Sequence, residues 1–530
     1  MRPPPAAPHK EEPAVRLAEL IAALSLATDL GTGQPIEHAL RSCVVAVRLG
    51  ETVGLSDTEL RDVYYLALLR FMGCTADAHV TASVFGDEVA AAGWYATVDS
   101  GRPVDVLLAM VRHVSEGDPP LQRSRRLATA VASAPRLLAV RAAHCEVAQQ
   151  LSDRLDLGPT IRACLAQIYE RWDGKGQPRG LKREEIALPI RVMRLAQDAE
   201  TFYQVGGVDA TVAMARQRSG GAYDPRLAEL FCQAAAGLLA GLGTEPAWEA
   251  ALMAEPGPQR VLSERELDTA LRVIADFVDL KSPYLGGHSS GVADLAAEAA
   301  RRCRLAAPDI RIIQRAGWVH DIGRVGISSA VWGRPGPLTQ GEWERVRLHP
   351  YYTERVLARP QAMAHLGVLA SLHHERLDGT GYHRGAPATM LRPEARLLAA
   401  ADVYHALTET RPHRPARSPE AASDELQAAV RAGRLDGDAV NAVLGAAGHR
   451  IRRRRRDWPA GLSEREVQVL RLVARGLSDG QMAERLYLSK STVHHHVQHI
   501  YDKLGVSTRA AATHFALQHD LLEADWAAEK

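Results

Sequence analysis

Aromatic residues are scarce in this chain, at 5% of 530 positions, and the six cysteines (Cys43, Cys74, Cys145, Cys164, Cys232 and Cys303) form no CxxC pair. The cysteine spacing excludes a zinc ribbon or a dense disulfide framework and fits free thiols in a reducing cytoplasm. No apolar run reaches the roughly 18–20 residues that a membrane-spanning helix needs, so no membrane partner is expected. The first residues, MRPPPAAPHKEEP, lack the apolar stretch of a secretory signal and read as a disordered lead over 1–16. A net charge of +1 gives the whole chain no bias toward an acidic or basic partner. What remains is an Ala/Leu/Arg-rich sequence whose patterning predicts an all-α protein.

The length is too great for one core and argues for about three domains. One boundary is marked by Arg450 and Arg452–Arg456, within an Arg-rich linker over 448–461. That run is either a solvated spacer or a nonspecific phosphate contact beside a compact module over 462–524.

Before the linker the sequence repeats itself. His38 precedes His288 by 250 residues, as LLRFMGC (68–74) precedes WVHDIGR (318–324). Farther on the offset is 205: His144 matches His349, ERWDGKGQPRG (170–180) matches ERLDGTGYHRG (375–385), and Arg191 matches Arg396. Two tandem copies are expected, at 17–255 and 262–447, the first carrying an insertion of 45 residues between Thr75 and His144.

Chemistry concentrates in the second copy. His288, His320, Asp321, His349, His373, His374 and Asp402 punctuate otherwise apolar or turn-rich segments. Imidazoles mixed with carboxylates suit Fe, Mn or Zn better than Mg or Ca, and a pair of such ions suits phosphoester hydrolysis. In the first copy Arg70-Phe71 replaces His320-Asp321, Ile168-Tyr169 replaces His373-His374, and Gln197 replaces Asp402. Only His38 and His144 survive, so the first copy is expected to be catalytically dead, with a role in packing, dimerisation or ligand sensing.

Three signatures in order, HDIG at 320–323, HHExxDGxG at 373–381 and ADVYxALTxxRPxR at 401–414, make 281–445 resemble the HD-GYP phosphohydrolases of the HD superfamily. That resemblance implies an all-helical domain with a binuclear iron or manganese centre that opens cyclic di-GMP. It allocates His288, His320 and Asp402 to one metal ion and His349, His373 and His374 to the other, with Asp321 bridging. Asp321 and Arg324 become the catalytic candidates, and Arg324, Gly381, Tyr382 and His383 the substrate contacts.

Some positions depart from the family pattern. Gly381-Tyr382-His383 stands where the family has Gly-Tyr-Pro, which removes a fixed φ angle and sets His383 near the expected substrate mouth. Arg324 replaces a lysine, and His405 replaces an aspartate. Tyr284 occupies the place of a glutamate found in three-metal members, so two metals are expected.

The C-terminal module opens one helix with the capping box Ser463–Glu466 and another at Ser478–Gln481. A third begins at Ser489, where Val493, Val497, Ile500 and Leu504 recur at core spacing. LSEREVQVLRLVARGLS…MAERLYLSKSTVHHHV…KLGV resembles the LuxR-type helix-turn-helix. The resemblance puts the third helix in the major groove of double-stranded DNA and pairs subunits through the last helix, Arg509–Leu522. Lys490, Ser491, Thr492, His494, His495, Gln498 and Lys503 are the DNA-binding candidates. His494–His496 point in different directions and do not read as a metal site.

The expectation is therefore a cytoplasmic, homodimeric regulator with three parts: a degenerate HD-like copy, an HD-GYP-like copy and a LuxR-type domain. Its middle part either hydrolyses a cyclic dinucleotide or other phosphoester, or binds one without turnover.

Overall fold

The computed structural model describes residues 14–114, 120–450, 458–519 and 521–522. The chain is all-α: among the described residues the only β pairings are isolated bridges. It divides into two compact units, Met1–His449 and Arg450–Lys530. Arg452–Arg456 of the expected linker lie outside the described residues.

The duplication is visible in hydrogen bonds that recur at the same register. Asp29 near the end of the helix Leu17–Gly31 accepts from the Ala39 amide at 3.2 Å, and Asp279, the last residue of Glu264–Asp279, accepts from the Ser289 amide at 3.0 Å. Each bond ties an opening helix to the start of the next, His38–Val53 or His288–Arg302. Buried Glu170 clasps the Arg179 and Leu181 amides at 2.8 and 2.9 Å, and Glu375 clasps Arg384 and Ala386 at 2.7 and 2.9 Å. The two glutamates therefore shape the same turn twice.

The copies differ from the sequence expectation in one respect: they are not separate domains. A single apolar core takes in Leu20, Leu40 and Leu195 of the first copy with Leu271, Val292 and Leu398 of the second. The Leu17 amide donates to the Arg260 carbonyl at 2.8 Å, and the Leu262 amide donates to Val15 at 2.9 Å. These bonds also shorten the expected lead over 1–16, because Val15 is buried and Arg16 bridges Val261. The helix Leu17–Gly31 is apolar almost all round and needs cover on every face, which only both copies together provide.

The interval of the first copy that carries the insertion holds four helices among the described residues, Ala78–Phe85, Glu88–Tyr95, Pro103–His113 and Pro120–Ala132. The second unit holds the helices Glu464–Ala474, Asp479–Leu486, Lys490–Leu504 and Arg509–Gln518 around their own core. Its first two open with the capping boxes expected at Ser463 and Ser478.

Candidate metal centre

The seven residues picked out in the second copy converge from five segments. His288 begins the helix His288–Arg302. His320 and Asp321 end Ala307–Val319, where the chain tightens into the 3-10 turn Ile322–Gly326. His349 starts His349–Leu357, His373 and His374 follow Ala364–Ala370, and Asp402 lies within Pro393–Thr408. Glycine at 323 lets the His349 strand of backbone approach, since a Cβ there would sit 2.0 Å from the His349 carbonyl oxygen. The first copy repeats the device, with Gly73 against the His144 carbonyl at 2.0 Å.

Three imidazoles are aimed by the same bond, from Nδ1 to the carbonyl three residues back. His320 reaches Gly317 at 2.7 Å, His349 reaches Val346 at 2.6 Å and His373 reaches Ala370 at 2.7 Å. Donation through Nδ1 leaves each Nε2 with its lone pair facing inward, which is the form that binds a metal. Asp321 meets those nitrogens with both oxygens. Oδ2 is 3.1 Å from His320 and 3.7 Å from His288, while Oδ1 is 3.5 Å from His349 and 3.4 Å from His373. Asp402 places Oδ1 at 3.3 Å from His288 Nε2 and Oδ2 at 3.7 Å from His374 Nδ1.

The donor atoms of this cluster are arranged in a way that suits cations. Burial favours neutral carboxyls, yet Arg324 and His320 hold Asp321, and His288 and His374 hold Asp402, well below the usual range. Burial and the neighbouring imidazoles keep His349 and His374 well below their ordinary values, hence neutral. His349 Nε2 and His373 Nε2 lie 3.1 Å apart, a repulsive meeting of lone pairs unless a positive charge draws both. His288 Nε2, His320 Nε2, both oxygens of Asp321 and Oδ1 of Asp402 are buried without hydrogen-bond partners. His288, His320 and Asp321 form one group able to hold a metal ion, and His349, His373 and His374 another, each with ligand atoms within 4.8 Å.

The other expected contacts are more varied. Arg324 Nε lies 2.9 Å from Asp321 Oδ2, with its guanidinium over the Trp332 ring. Tyr382 packs on His374, ring centroids 4.7 Å apart. His383 turns toward Tyr351 and Glu354. Gly381 is explained by packing rather than by a ligand: a Cβ there would lie 2.5 Å from the Glu375 Cα.

Sequence reasoning gave no role to Glu409, His405 or Arg411. Glu409 accepts from His288 Nδ1 at 2.9 Å and from Arg411 at 2.6 Å, and with His405 it makes a third group of metal-binding type. The signal was available, because Asp402, His405 and Glu409 share one face at i, i+3 and i+7. In the first copy the equivalent positions are paired differently. Arg70 Nε donates to Gln197 Oε1 at 2.6 Å, and His38 pairs with Glu200.

In the second unit Val493, Val497 and Ile500 are buried, and Lys490, Ser491, Thr492, His494, His495 and Gln498 are exposed, as the periodicity requires. Ser489 caps this helix through the Thr492 amide, and His494 pairs with Asp479 at 3.1 Å. Lys503 is engaged within the unit, bonding Glu466 at 2.7 Å and the Gly461 carbonyl at 3.0 Å.

Residues 134–227 and 272–439 match the HD domain, and 460–516 match the bacterial regulatory proteins of the luxR family. The chain carries HD domains and a luxR-family domain. It is 29% identical over 408 residues, 76% of this chain and 88% of the other, to 3'3'-cGAMP-specific phosphodiesterase 3 of Vibrio cholerae. It is 33% identical over 186 residues to the cyclic di-GMP phosphodiesterase response regulator RpfG of Xanthomonas campestris, covering 34% and 48% of the two chains. A crystal structure of a cyclic GMP-AMP specific phosphodiesterase from V. cholerae aligns with a TM-score of 0.56 and 25% identity, over 83% of this chain and 99% of that one. These relatives are cyclic-dinucleotide phosphodiesterases. Among the described residues no helix is long and apolar enough to cross a membrane.

Proposed function

We propose that this protein is a DNA-binding regulator whose second HD copy is a metal-dependent cyclic-dinucleotide phosphodiesterase. The observation that carries the reading is the shared carboxylate of Asp321, whose two oxygens face opposite histidine groups. Two divalent ions, Fe or Mn, fit this donor set, held by His288, His320 and Asp402 on one side and by His349, His373 and His374 on the other. Such ions supply a nucleophile at neutral pH and offset charge building on phosphorus. The chain's own residues do the rest. Asp321 and Asp402 fix the spacing of the two groups, and the Nδ1 bonds to Gly317, Val346 and Ala370 hold the rings in register. Tyr382 bounds the site beside His374, and Arg324 offers a guanidinium for a phosphate oxygen.

Cyclic di-GMP was the substrate suggested by sequence, and the length of the match to the cGAMP-specific relative gives 3'3'-cGAMP equal standing. A second reading, nucleotide binding without turnover, is favoured by Arg324 resting on Asp321 rather than standing free. The luxR-family domain would present Lys490–Gln498 to the major groove as a cytoplasmic homodimer.

The test is metal content and hydrolysis of both cyclic dinucleotides by anaerobically purified protein, beside Asp321→Ala. Two metals per chain and turnover that the substitution abolishes are expected. Metal without turnover of either nucleotide would favour the binding-only reading, and absence of metal after loading would overturn the enzyme reading.

A further inference from the structure

The retired site of the first copy opens into a cavity of about 770 Å³, within the range of about 300–1,000 Å³ usual for ligand sites. Its floor includes His38, Arg70, His144 and Gln197, the counterparts of the metal-centre residues. Its roof is the 45-residue insertion, which contributes Phe85, Trp94, Tyr95 and Leu107 and which the second copy lacks.

Six cationic side chains line this cavity against three acidic ones, and all three acids are already engaged. Asp99 pairs with Arg171 at 2.7 Å, Asp198 with Arg218 at 3.0 Å, and Glu88 with Lys281 at 2.8 Å. Arg70, Arg141 and Arg194 instead donate to neutral acceptors: the Gln197 amide, the Tyr95 hydroxyl and the Glu170 carbonyl. Arg70 Nη1 and Gln197 Nε2, in side chains more than nine-tenths buried, have no hydrogen-bond partner, nor has Arg194 Nε. A buried cation without a counter-charge is costly, and an anion among these donors would remove that cost. Trp94, Tyr95 and Tyr169 make the lining aromatic, with Arg70 and Arg141 over the Tyr169 ring and His113 stacked on Trp94.

We propose that the first copy is a metal-independent binding site for a nucleotide-class ligand, its phosphate among Arg70, Arg141 and Arg194 and its base against the inserted roof. A fixed guanidinium at position 70 stands where the second copy has a metal ligand, so anion recognition persists after the metal is lost. The roof is also tied to the catalytic copy. Glu88 lines the cavity and bonds Lys281, Ser328 and Ser329, the last two a few residues beyond Arg324.

This inference does not depend on turnover, so its test uses the full chain carrying Asp321→Asn. Binding of 3'3'-cGAMP, cyclic di-GMP, GMP and inorganic phosphate would be measured by equilibrium dialysis. One equivalent of at least one nucleotide should bind. Leu107→Trp, which fills the cavity mouth, and Arg141→Ala should each weaken it tenfold or more, with Arg141→Lys restoring part of the loss. No nucleotide binding, or binding indifferent to both substitutions, would overturn the proposal, as would phosphate binding as tightly as the nucleotides. Should Leu107→Trp fail to fold, the Arg141→Ala and Arg141→Lys pair decides. Failure of the phosphodiesterase reading would appear separately, as lack of hydrolysis by the unsubstituted metal-loaded chain.

Discussion

Glu409 accepts a hydrogen bond from His288 Nδ1 at 2.9 Å, on the side of the ring opposite Asp402. A carboxylate behind a histidine fixes its tautomer and raises its basicity as a ligand, and loss of such partners commonly costs about 10–100-fold in metal affinity. Burial acts against a charged His288, but Asp402 and Glu409 push its pKa up to about 9. Glu409→Gln is expected to weaken metal binding within that range, read by chelator competition. Unaltered metal affinity would deny Glu409 this positioning role.

The turn after His374 gives a stability prediction. At Gly381 a Cβ would stand 2.5 Å from the Glu375 Cα and the Arg376 nitrogen, backbone atoms held by the Glu375 clasp. Gly381→Ala should destabilise the first unit by about 1–3 kcal/mol. Gly286→Ala, with nothing within 4 Å of the new methyl, should stay within about 0.5 kcal/mol. Urea denaturation of the two variants separates them.

A pH dependence follows from Asp29. Burial pushes its carboxyl up to about 7, although His38 and the Ala39 amide pull the other way. The folded chain therefore holds this proton through a window in which the unfolded chain, near pH 3.8, has released it. Stability from this group is greatest below that lower value and falls as pH rises toward about 7. Asp29→Asn should flatten the pH dependence of unfolding between those limits, by no more than a few kcal/mol in all. An unchanged slope would show that the carboxyl is ionised in the folded protein.

Lys490 and Lys503 lie on one helix and are expected to behave differently toward DNA. Lys490 is exposed at its first turn, whereas Lys503 is bonded to Glu466 and Gly461. Lys490→Ala should reduce the dependence of log affinity on log salt by about 0.9, the value of one phosphate contact. Lys503→Met should leave that slope alone and instead lower the melting temperature of the luxR-family unit. Equal salt slopes for the two variants would refute the distinction.

Much of this was legible because certain spacings admit few explanations. The constant offsets between His38 and His288 and between His144 and His349 revealed the duplication, and the seven metal-centre candidates fell in recognisable short signatures. Glu409 was harder to read, since a carboxylate bound to the outer nitrogen of a histidine has no fixed sequence distance from it. The cavity was invisible for a different reason. Arg70 and Gln197 looked only like losses, and their mutual bond depends on a fold that brings together positions 127 residues apart. The shared core was hidden as well: a repeat suggests separable domains, and the warning lay in the apolar residues on nearly every face of Leu17–Gly31.

The crossed amide bonds Leu17 to Arg260 and Leu262 to Val15 bear on how such a duplication can age. Each copy begins by leaning on the other, so deleting the chemically silent half would strip cover from the half that carries the metal-centre residues. Drift in the first copy is therefore constrained along its helices even though the former metal ligands are gone. The pair must be inherited, produced and folded as one object, and an isolated second copy is a poor surrogate for the whole.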